Sequence, residues 1–272
     1  MTKGTRLDIF LSENKLSASR EKAKREIISG WVKVDGETVR EPSRKVRGDE
    51  DIVVQRPGGL YVSRGGEKLH HALEHFNVAV TNRVAADIGA STGGFTHCLL
   101  VHGASFVYAV DVGYGQLDYS LRQNPSVKVM ERTHVKTLTR DMFDTIPDLI
   151  TADLSFISIL KTIDALRNVF APVEVVVLIK PQFEAEPEEH KKGVVKKIEH
   201  HTAILRRVIE SLCSQGVEFR GLCFSPIKGP AGNIEFLFHG YINESGNAEK
   251  YDEDIVQYID SVVIEAHRVL NE

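Results

Sequence analysis

A short glycine-rich run is the segment of this sequence best suited to bind a small molecule. The apolar residues 84–86 lead into the run Asp87-Ile88-Gly89-Ala90-Ser91-Thr92-Gly93-Gly94-Phe95. This pattern predicts a buried strand, a tight turn and the start of a helix. Glycines let the backbone amides of the turn approach a ligand closely, and the N-terminus of a helix attracts negative charge. The run therefore predicts a binding site for a nucleotide-like cofactor.

The spacing of the glycines decides between kinds of cofactor. A dinucleotide site takes G-x-G-x-x-G, whereas this run reads D-x-G-x-x-x-G-G-F. The spacing therefore disfavours a nicotinamide-dependent oxidoreductase, and we expect such a run in S-adenosylmethionine methyltransferases. Asp87 suits the cationic amino-acid end of that cofactor, and the turn amides suit its carboxylate. A glycine-rich turn without a ligand is the alternative.

Polar residues also follow other apolar stretches that we interpret as strands. Asp111 comes about twenty residues after the turn, where a carboxylate can accept hydrogen bonds from ribose hydroxyls. Asp153 and Lys180 each follow a later stretch. Burying a lysine is costly unless it is paired or functional, and a lysine beside a carboxylate can orient a ribose hydroxyl and help to remove its proton. A structural salt bridge at a strand end is the alternative.

Strand-like and helix-like segments alternate from residue 84 onward. The predicted strands are 84–88, 105–110, 127–130, 149–152, 173–179, 217–224 and 234–239, with helices at 67–76, 201–214 and 253–270. Alternation of this kind predicts an α/β fold with a mostly parallel seven-stranded sheet covered by helices on both faces. Segment 184–197 interrupts it with acidic residues followed by lysines. We expect this segment to be either a mobile loop near the active face or a solvated insertion.

The first part of the chain predicts a small, separate α+β domain. Two helical segments, 6–11 and one capped by Ser17 or Ser19 that runs to Gly30, precede strands at 31–34, from Val39 onward and at 52–54, with a hairpin turn at Asp35-Gly36. The run Arg56-Pro57-Gly58-Gly59 predicts a linker, at about residues 56–62. We therefore predict domains at 1–59 and 63–272.

The N-terminal segment resembles the S-four type of RNA-binding domain. The resemblance rests on Arg6-Leu7-Asp8, Ser19-Arg20, Ala23, Ile27, Gly30, Val32, Val34-Asp35-Gly36 and Pro42. It implies contact between basic side chains and an RNA backbone, from Arg6, Arg20, Lys22, Lys24, Arg25 and Lys33, with Arg44, Lys45 and Arg47 on a later loop. Residues 1–59 hold 13 Lys and Arg against 10 Asp and Glu, although the whole chain carries a net charge of −4. A solvated helix face with Glu21 and Glu26 in intrahelical pairs is the alternative.

Four further motifs resemble the FtsJ-type ribose methyltransferases, which share a Lys-Asp-Lys-Glu set. Here the four residues are Lys68 in Ser63-Arg64-Gly65-Gly66-Glu67-Lys68, Asp153 in Asp153-Leu154-Ser155-Phe156, Lys180 in Lys180-Pro181-Gln182-Phe183-Glu184 and Glu235 in Gly232-Asn233-Ile234-Glu235-Phe236. The order of an RNA-binding domain, a linker and a methyltransferase further resembles the TlyA family, whose members are also named hemolysins. That resemblance implies a Rossmann-like class I methyltransferase domain that modifies cytidine 2′-hydroxyls in ribosomal RNA.

The resemblance also implies a role for each site residue. Lys180 is the central base or orienting cation, Asp153 sets its position, and Lys68 and Glu235 frame the target ribose. Arg132-Thr133-His134 resembles a family position near the adenine or the substrate, or is loop structure. The expected cofactor-binding residues are Asp87, Gly89, Ser91, Gly93, Gly94, Phe95, Asp111, Val112 and Asp153.

Composition disfavours several other classes of protein. The longest apolar run is far shorter than the roughly 20 residues that cross a bilayer, and no secretory signal opens the chain. We therefore expect a cytoplasmic protein without a membrane partner. Cys98, Cys213 and Cys223 lack metal-ligand spacing, so we expect no metal site. A membrane-active hemolysin and a catalytically idle RNA-binding assembly factor are the remaining alternatives, and the sequence leaves the oligomeric state and the RNA target open.

Overall fold

The structure is a computed structural model that describes residues 4–17, 19–28, 30–48, 50–54 and 61–271. The predicted linker Arg56-Pro57-Gly58-Gly59 and the side chain of Arg25 lie outside the described residues. The chain divides into two compact units, Met1–Gly59 and Leu60–Glu272. None of the described helices is long and apolar enough to cross a membrane.

The first unit is a small α+β fold. Its elements are β1 (Thr5–Arg6), α1 (Leu7–Glu13), α2 (Arg20–Ile28), β2 (Val32–Val34), β3 (Glu37–Val39), β4 (Lys45–Val46) and β5 (Ile52–Val54). Strands β3, β2 and β5 form one antiparallel sheet, and β1 pairs with β4. Apolar residues of both helices and of these strands, including Leu7, Leu11, Ala23 and Ile27, form its core.

Two local details of this unit differ from the sequence prediction. The strand predicted from Val39 onward instead ends at Val39, because Asp35 and Gly36 adopt positive φ and fold Glu37–Val39 back onto β2. Lys45, predicted on a loop, lies in β4 because it pairs with Arg6 of β1.

The second unit alternates strands and helices as the sequence predicts. Its elements are α3 (Gly65–His75), β6 (Val84–Ile88), α4 (Gly94–Val101), β7 (Phe106–Val110), α5 (Tyr119–Arg122), β8 (Val127–Met130), β9 (Leu149–Ala152), α6 (Ile163–Phe170), β10 (Val173–Ile179), α7 (Pro181–Glu184), α8 (Ile198–Ser214), β11 (Val217–Phe224), β12 (Phe236–Ile242) and α9 (Glu253–Leu270). Short 3₁₀ turns lie at Val135–Thr137, Arg140–Met142 and Ile159–Lys161.

The sheet of this unit has seven strands in the order β11-β12-β10-β9-β6-β7-β8. Strands β10, β9, β6, β7 and β8 are parallel, whereas β12 is antiparallel to both of its neighbours. The order reverses between β6 and β9, and ligands of open α/β sheets bind at the carboxyl ends of strands at such a point. Two apolar clusters, one on each face, cover the sheet.

The last strand begins later than predicted. The sequence predicts 234–239, whereas β12 spans Phe236–Ile242. The side chain of Asn233 bonds to the backbone of Gly193 and Val195, and that of Glu235 pairs with Lys68, so the residues before Phe236 are held by other partners. At the other end, Ile242 pairs with both Val173 and Val217.

Candidate active site

The glycine-rich turn follows β6 and is fixed by backbone geometry. Gly89 and Gly93 have φ values of 88° and 96°, which favour glycine, and Ser91 also has a positive φ of 49°. A Cβ on Gly89 would lie 2.6 Å from the carbonyl oxygen of Asp153. The turn therefore lies directly against the end of β9, where the sequence predicts a catalytic carboxylate.

Asp111 holds the turn from the neighbouring strand. It follows β7, and its Oδ2 accepts a hydrogen bond from the Ser91 N–H at 2.7 Å. Its Oδ1 accepts one from the Gly113 N–H at 2.6 Å. Each carboxylate oxygen keeps a further lone pair, so Asp111 can accept ribose hydroxyls while it orders the turn.

Asp87 lies beneath the turn. Its side chain is fully buried, and its Oδ2 accepts a hydrogen bond from the Thr96 hydroxyl at 2.6 Å. Burial raises the pKa of this carboxyl to about 7, in spite of the opposing effect of the Thr96 hydrogen bond, and the charge of Asp153 acts in the same direction as burial. Asp87 thus links β6 to α4.

A cavity of about 930 Å³ opens above the carboxyl ends of β6, β7 and β9. Its volume is near the upper end of the range for small-molecule sites, about 300–1,000 Å³. Of the residues predicted to bind the cofactor, those that line the cavity are Gly89, Ser91, Asp111, Val112 and Asp153. Thr133 and His134 line it too.

The other predicted cofactor residues have packing contacts. A Cβ on Gly93 would lie 2.3 Å from Cδ1 of Leu121, and one on Gly94 would lie 2.3 Å from Oγ of Ser63. Phe95 is buried in the apolar cluster between α3 and α4. These residues hold the turn and the start of α4 in place from behind.

Lys180 and Asp153 form an ion pair at the carboxyl edge of the sheet. The Lys180 Nζ lies 2.6 Å from the Asp153 Oδ1 and donates a hydrogen bond to the Ser155 hydroxyl at 2.8 Å. Both charged side chains are largely, but not completely, buried. An ammonium has three N–H donors, and the hydrogen bond to Ser155 takes up one of them, whereas Asp153 acts through its charge. A remaining donor can hold a substrate oxygen.

A second ion pair joins Lys68 of α3 to Glu235, and both side chains are buried. The register explains why it lies near the first pair. Ile179 pairs with Phe236 across the antiparallel strands β10 and β12, so Lys180 and Glu235 leave the sheet at the same edge. The structure therefore brings the four residues of the Lys-Asp-Lys-Glu set to one edge as two lysine–carboxylate pairs.

Sequence reasoning missed several residues of this site. Gln182 lines the cavity, and its Oε1 is buried with no hydrogen-bond partner among the described residues. Phe156 also lines the cavity although 90% of it is exposed, and its φ is 64°. Ser155 contacts Lys180 directly. All three stand inside motifs that the sequence singles out, but the motif pattern alone does not show which of their side chains face the cavity.

The first unit places its predicted RNA-binding residues in differing surroundings. Arg6 and Arg20 both pair with the buried Asp8, at 3.0 and 3.2 Å. The hydrogen bond from Arg6 lowers the pKa of that carboxyl below its usual range. Lys24 pairs with Glu21 at 2.6 Å. Lys33 lies on β2 and is half-buried, and Lys22 lies on α2.

Potential metal ligands are dispersed in the described part of the chain. No three or more His, Cys, Asp or Glu side chains there are grouped to hold a metal ion. Cys98, Cys213 and Cys223 are buried and free. Burial raises the pKa of the Cys98 thiol to about 12, so it stays protonated at neutral pH.

Comparison with known proteins identifies the families that this chain matches. The FtsJ-like methyltransferase family matches residues 61–241, and the S4 domain matches residues 5–52. YqxC of Bacillus subtilis is 43% identical over 100% of this chain and 97% of its own length. The 16S/23S rRNA (cytidine-2′-O)-methyltransferase TlyA of Mycobacterium tuberculosis is 39% identical over 87% of this chain and 90% of its own length.

A solved structure shares the fold along the whole chain. A protein named as a hemolysin from Streptococcus thermophilus is 36% identical and superposes with a TM-score of 0.77, covering 100% of this chain and 98% of its own. The sheet order, the site and these matches agree with one another. The chain belongs to the TlyA family, in which an S4 domain precedes an FtsJ-like methyltransferase domain.

Proposed function

We propose that this protein transfers a methyl group from S-adenosylmethionine to the 2′-hydroxyl of a cytidine in ribosomal RNA. The observation that carries the proposal is the Lys180–Asp153 pair, whose Asp153 lines the cavity of about 930 Å³, with the Lys68–Glu235 pair at the same edge of the sheet. The M. tuberculosis relative is named for this reaction on 16S and 23S rRNA. The RNA-binding character of S4 domains agrees with a substrate of this class.

Lys180 is the central catalytic residue of this proposal. As an ammonium it donates an N–H to the 2′-oxygen and orients it; as a neutral amine at the same position it accepts the hydroxyl proton as the methyl group is transferred and becomes the ammonium. Asp153 and Ser155 fix the ammonium by direct contacts. When bound, S-adenosylmethionine supplies the methyl group to the oxygen held there.

Lys68 and Glu235 frame the target ribose. Because the pair is buried, its two charges compensate each other, and removing one partner would leave the other uncompensated. The pair therefore gives the wall of the site a fixed shape next to Lys180.

The residues of the cavity fit S-adenosylmethionine. Asp111 offers carboxylate oxygens to the cofactor ribose, and Gly89 and Ser91 offer a close backbone to the methionine part. The Gln182 Oε1, which has no hydrogen-bond partner in the described part of the chain, supplies a polar contact, and Val112 supplies an apolar wall. Asp87, Gly93, Gly94 and Phe95 support this surface from behind.

The S4 domain supplies the proposed contacts to the RNA backbone. The residues are Arg6, Arg20, Lys22, Lys24, Arg25 and Lys33. Because Asp8 pairs with both Arg6 and Arg20, we expect these two to contribute through the remaining donors of their guanidinium groups. Ribosomal RNA as the substrate agrees with the cytoplasm as the location.

A direct test uses purified full-length protein and ribosomal RNA from cells that lack the gene. Labelled methyl from S-adenosylmethionine should appear on the 2′-oxygen of a cytidine, and calorimetry should show binding of S-adenosylmethionine at micromolar Kd, about −8 kcal/mol. Binding of NAD without binding of S-adenosylmethionine would overturn the cofactor assignment. Tight RNA binding without any methyl transfer would identify an idle assembly factor instead.

A further inference from the structure

Four lysines lie close together in the segment between α7 and α8. Lys191, Lys192, Lys196 and Lys197 are all exposed, and within residues 61–271 none of them has an ion-pair partner. Two other lysines of the same unit are paired, Lys128 with Asp144 and Lys250 with Asp252, whereas the exposed Lys136 and Lys161 stand singly and form no such cluster. The segment thus presents concentrated positive charge on a chain whose net charge is −4.

The lysines stand on a tight hairpin. Lys191 and Val194 exchange backbone hydrogen bonds at 3.0 and 3.1 Å, and Lys192 and Gly193 between them have φ values of 52° and 76°. Two central residues with positive φ are typical of a type I′ turn. We call residues 190–197 the lysine hairpin. The structure shows the conformation of this segment, and the mobility expected from the sequence stays a prediction.

Asn233 fastens the lysine hairpin to the catalytic edge. Its buried side chain accepts a hydrogen bond from the Val195 N–H and donates one to the Gly193 carbonyl, both at 3.0 Å. The Val195 side chain is buried in the main core. Asn233 precedes Glu235 by two residues, which span at most about 7 Å. The hairpin therefore lies beside the Lys68–Glu235 pair.

The nearby acidic residues leave the lysine charges exposed. Glu189 pairs with Arg207 of α8, and Glu184 accepts a hydrogen bond from the Ile159 N–H. Glu186, Glu188 and Glu199 are exposed and flank the hairpin in the sequence. The acids thus either have other partners or flank the hairpin, Lys191 and Lys192 lie at its turn, and Lys196 and Lys197 follow the turn.

We propose that the lysine hairpin binds the phosphate backbone of the RNA strand whose ribose enters the catalytic site. This inference rests on the proposed function and adds a second RNA contact, within the methyltransferase unit. Lysine is a compact point charge on a flexible stem and suits phosphates irrespective of sequence. Asn233 holds the hairpin and precedes Glu235 by two residues. Phosphates bound by the hairpin would therefore lie near the catalytic edge, where they can position the strand for the Lys180 site. The cytidine itself is then selected elsewhere.

The test replaces the lysines in the full-length protein. Lys191→Gln with Lys192→Gln, Lys196→Gln with Lys197→Gln, and all four together are compared with a control, Lys128→Gln with Lys250→Gln, which removes two paired lysine charges of the same unit. Binding to ribosomal RNA from cells lacking the gene is measured from low to high KCl, together with the single-turnover rate at saturating RNA and calorimetry of S-adenosylmethionine.

In the fourfold variant, the plot of the logarithm of the RNA-binding constant against log salt should become less steep, its slope smaller in magnitude by about 1 to 3. Each phosphate contact to a single strand contributes about 0.7 to that slope. RNA binding at physiological salt should weaken about tenfold or more, whereas the saturating rate and cofactor affinity should stay within about twofold. Arginine at the four positions should retain RNA affinity.

An unchanged salt slope and RNA affinity in the fourfold variant would overturn the inference, as would an equal loss in the control pair. Failure of the proposed function has a different signature. If the wild-type protein transfers no methyl group but the variant still loses salt-dependent binding, the hairpin contact stands and only the reaction is wrong.

Discussion

At the scale of single residues, the site depends on how the lysine ammonium groups are held. Asp153 and Ser155 both contact the Lys180 ammonium, and Glu235 pairs with the Lys68 ammonium. An ammonium held in this way has lost its freedom before the substrate arrives, so little ordering remains to be done during the reaction. The geometry of these contacts is therefore as important as their charge.

The Lys180→Arg variant tests this point. Arginine keeps the charge, but its planar, permanently protonated group can neither fit the same position nor accept a proton. We expect single-turnover methylation to fall at least about 10²-fold with cofactor binding nearly unchanged. Ser155→Ala, which removes one neutral contact, serves as the milder comparison. Near wild-type rates for Lys180→Arg would reduce Lys180 to a structural or charge-only role.

Asp87 predicts a pH dependence of stability. Its pKa is about 7 in the folded protein, above its ordinary value of 3.8, so the folded state binds the proton more tightly than the unfolded state does. Stability should therefore fall as pH rises from about 4 to about 7 and then level off, by an amount of order 2–4 kcal/mol from this group.

Asp87→Asn can still accept the Thr96 hydrogen bond but cannot ionise. Urea unfolding of this variant between pH 5 and pH 8 should show a shallower dependence on pH than the wild-type protein. Parallel curves for the two proteins would mean that Asp87 titrates as an ordinary carboxyl.

At the scale of elements, two glycine motifs set the contact between helices. A Cβ on Gly66 would lie 2.3 Å from Cγ of Tyr61, and one on Gly94 would lie 2.8 Å from the Gly66 backbone nitrogen. The first turns of α3 and α4 therefore approach more closely than side chains would allow. Lys68 stands on α3, so this packing also sets its reach toward Glu235.

Gly93→Ala compared with Gly115→Ala separates packing from backbone strain. Both glycines have positive φ, but a Cβ at Gly93 meets Leu117 and Leu121, whereas nothing lies within 4 Å of one at Gly115. We expect each variant to lose about 1 kcal/mol from strain, and Gly93→Ala to lose a further 1–3 kcal/mol from overpacking. Equal unfolding free energies for the two variants would show that the leucines yield without cost.

Much of the fold and part of the site can be predicted from the sequence. The spacing of apolar residues indicates the strands and helices, and the polar, Gly and Pro residues mark where they end. The strands 84–88, 127–130, 149–152, 173–179 and 217–224 were predictable from apolar runs bounded by polar residues. Asp153 and Lys180 follow two of these strands, and Asp111 follows β7, so the three share the carboxyl edge of the sheet. Contacts between distant segments could not be predicted. The hydrogen bonds between Asn233 and the backbone of Gly193 and Val195 depend on tertiary packing that no local pattern encodes.

At the scale of the whole molecule, the proposed chemistry belongs to the second unit, and the proposed RNA contacts divide between the S4 domain and the lysine hairpin. The methyltransferase unit has its own core on both faces of its sheet, and the S4 domain has a separate one. A protein lacking residues 1–59 should therefore keep its affinity for S-adenosylmethionine, measured by calorimetry. Its RNA affinity should fall about tenfold or more at physiological salt, because the phosphate contacts of the first unit are lost. Equal RNA affinity for the two proteins would assign the S4 domain another role.

The proposed reaction is methylation of a cytidine 2′-oxygen of ribosomal RNA, with Lys180 as the essential residue. The most direct measurement maps 2′-O-methyl groups on 16S and 23S rRNA from cells that have the gene, lack it, or carry Lys180→Arg in its place. We predict at least one cytidine that is methylated with the wild-type gene, unmethylated without it, and almost unmethylated with Lys180→Arg at equal protein level. Identical maps in all three strains would contradict the proposed reaction, and full methylation with Lys180→Arg would contradict the role of Lys180.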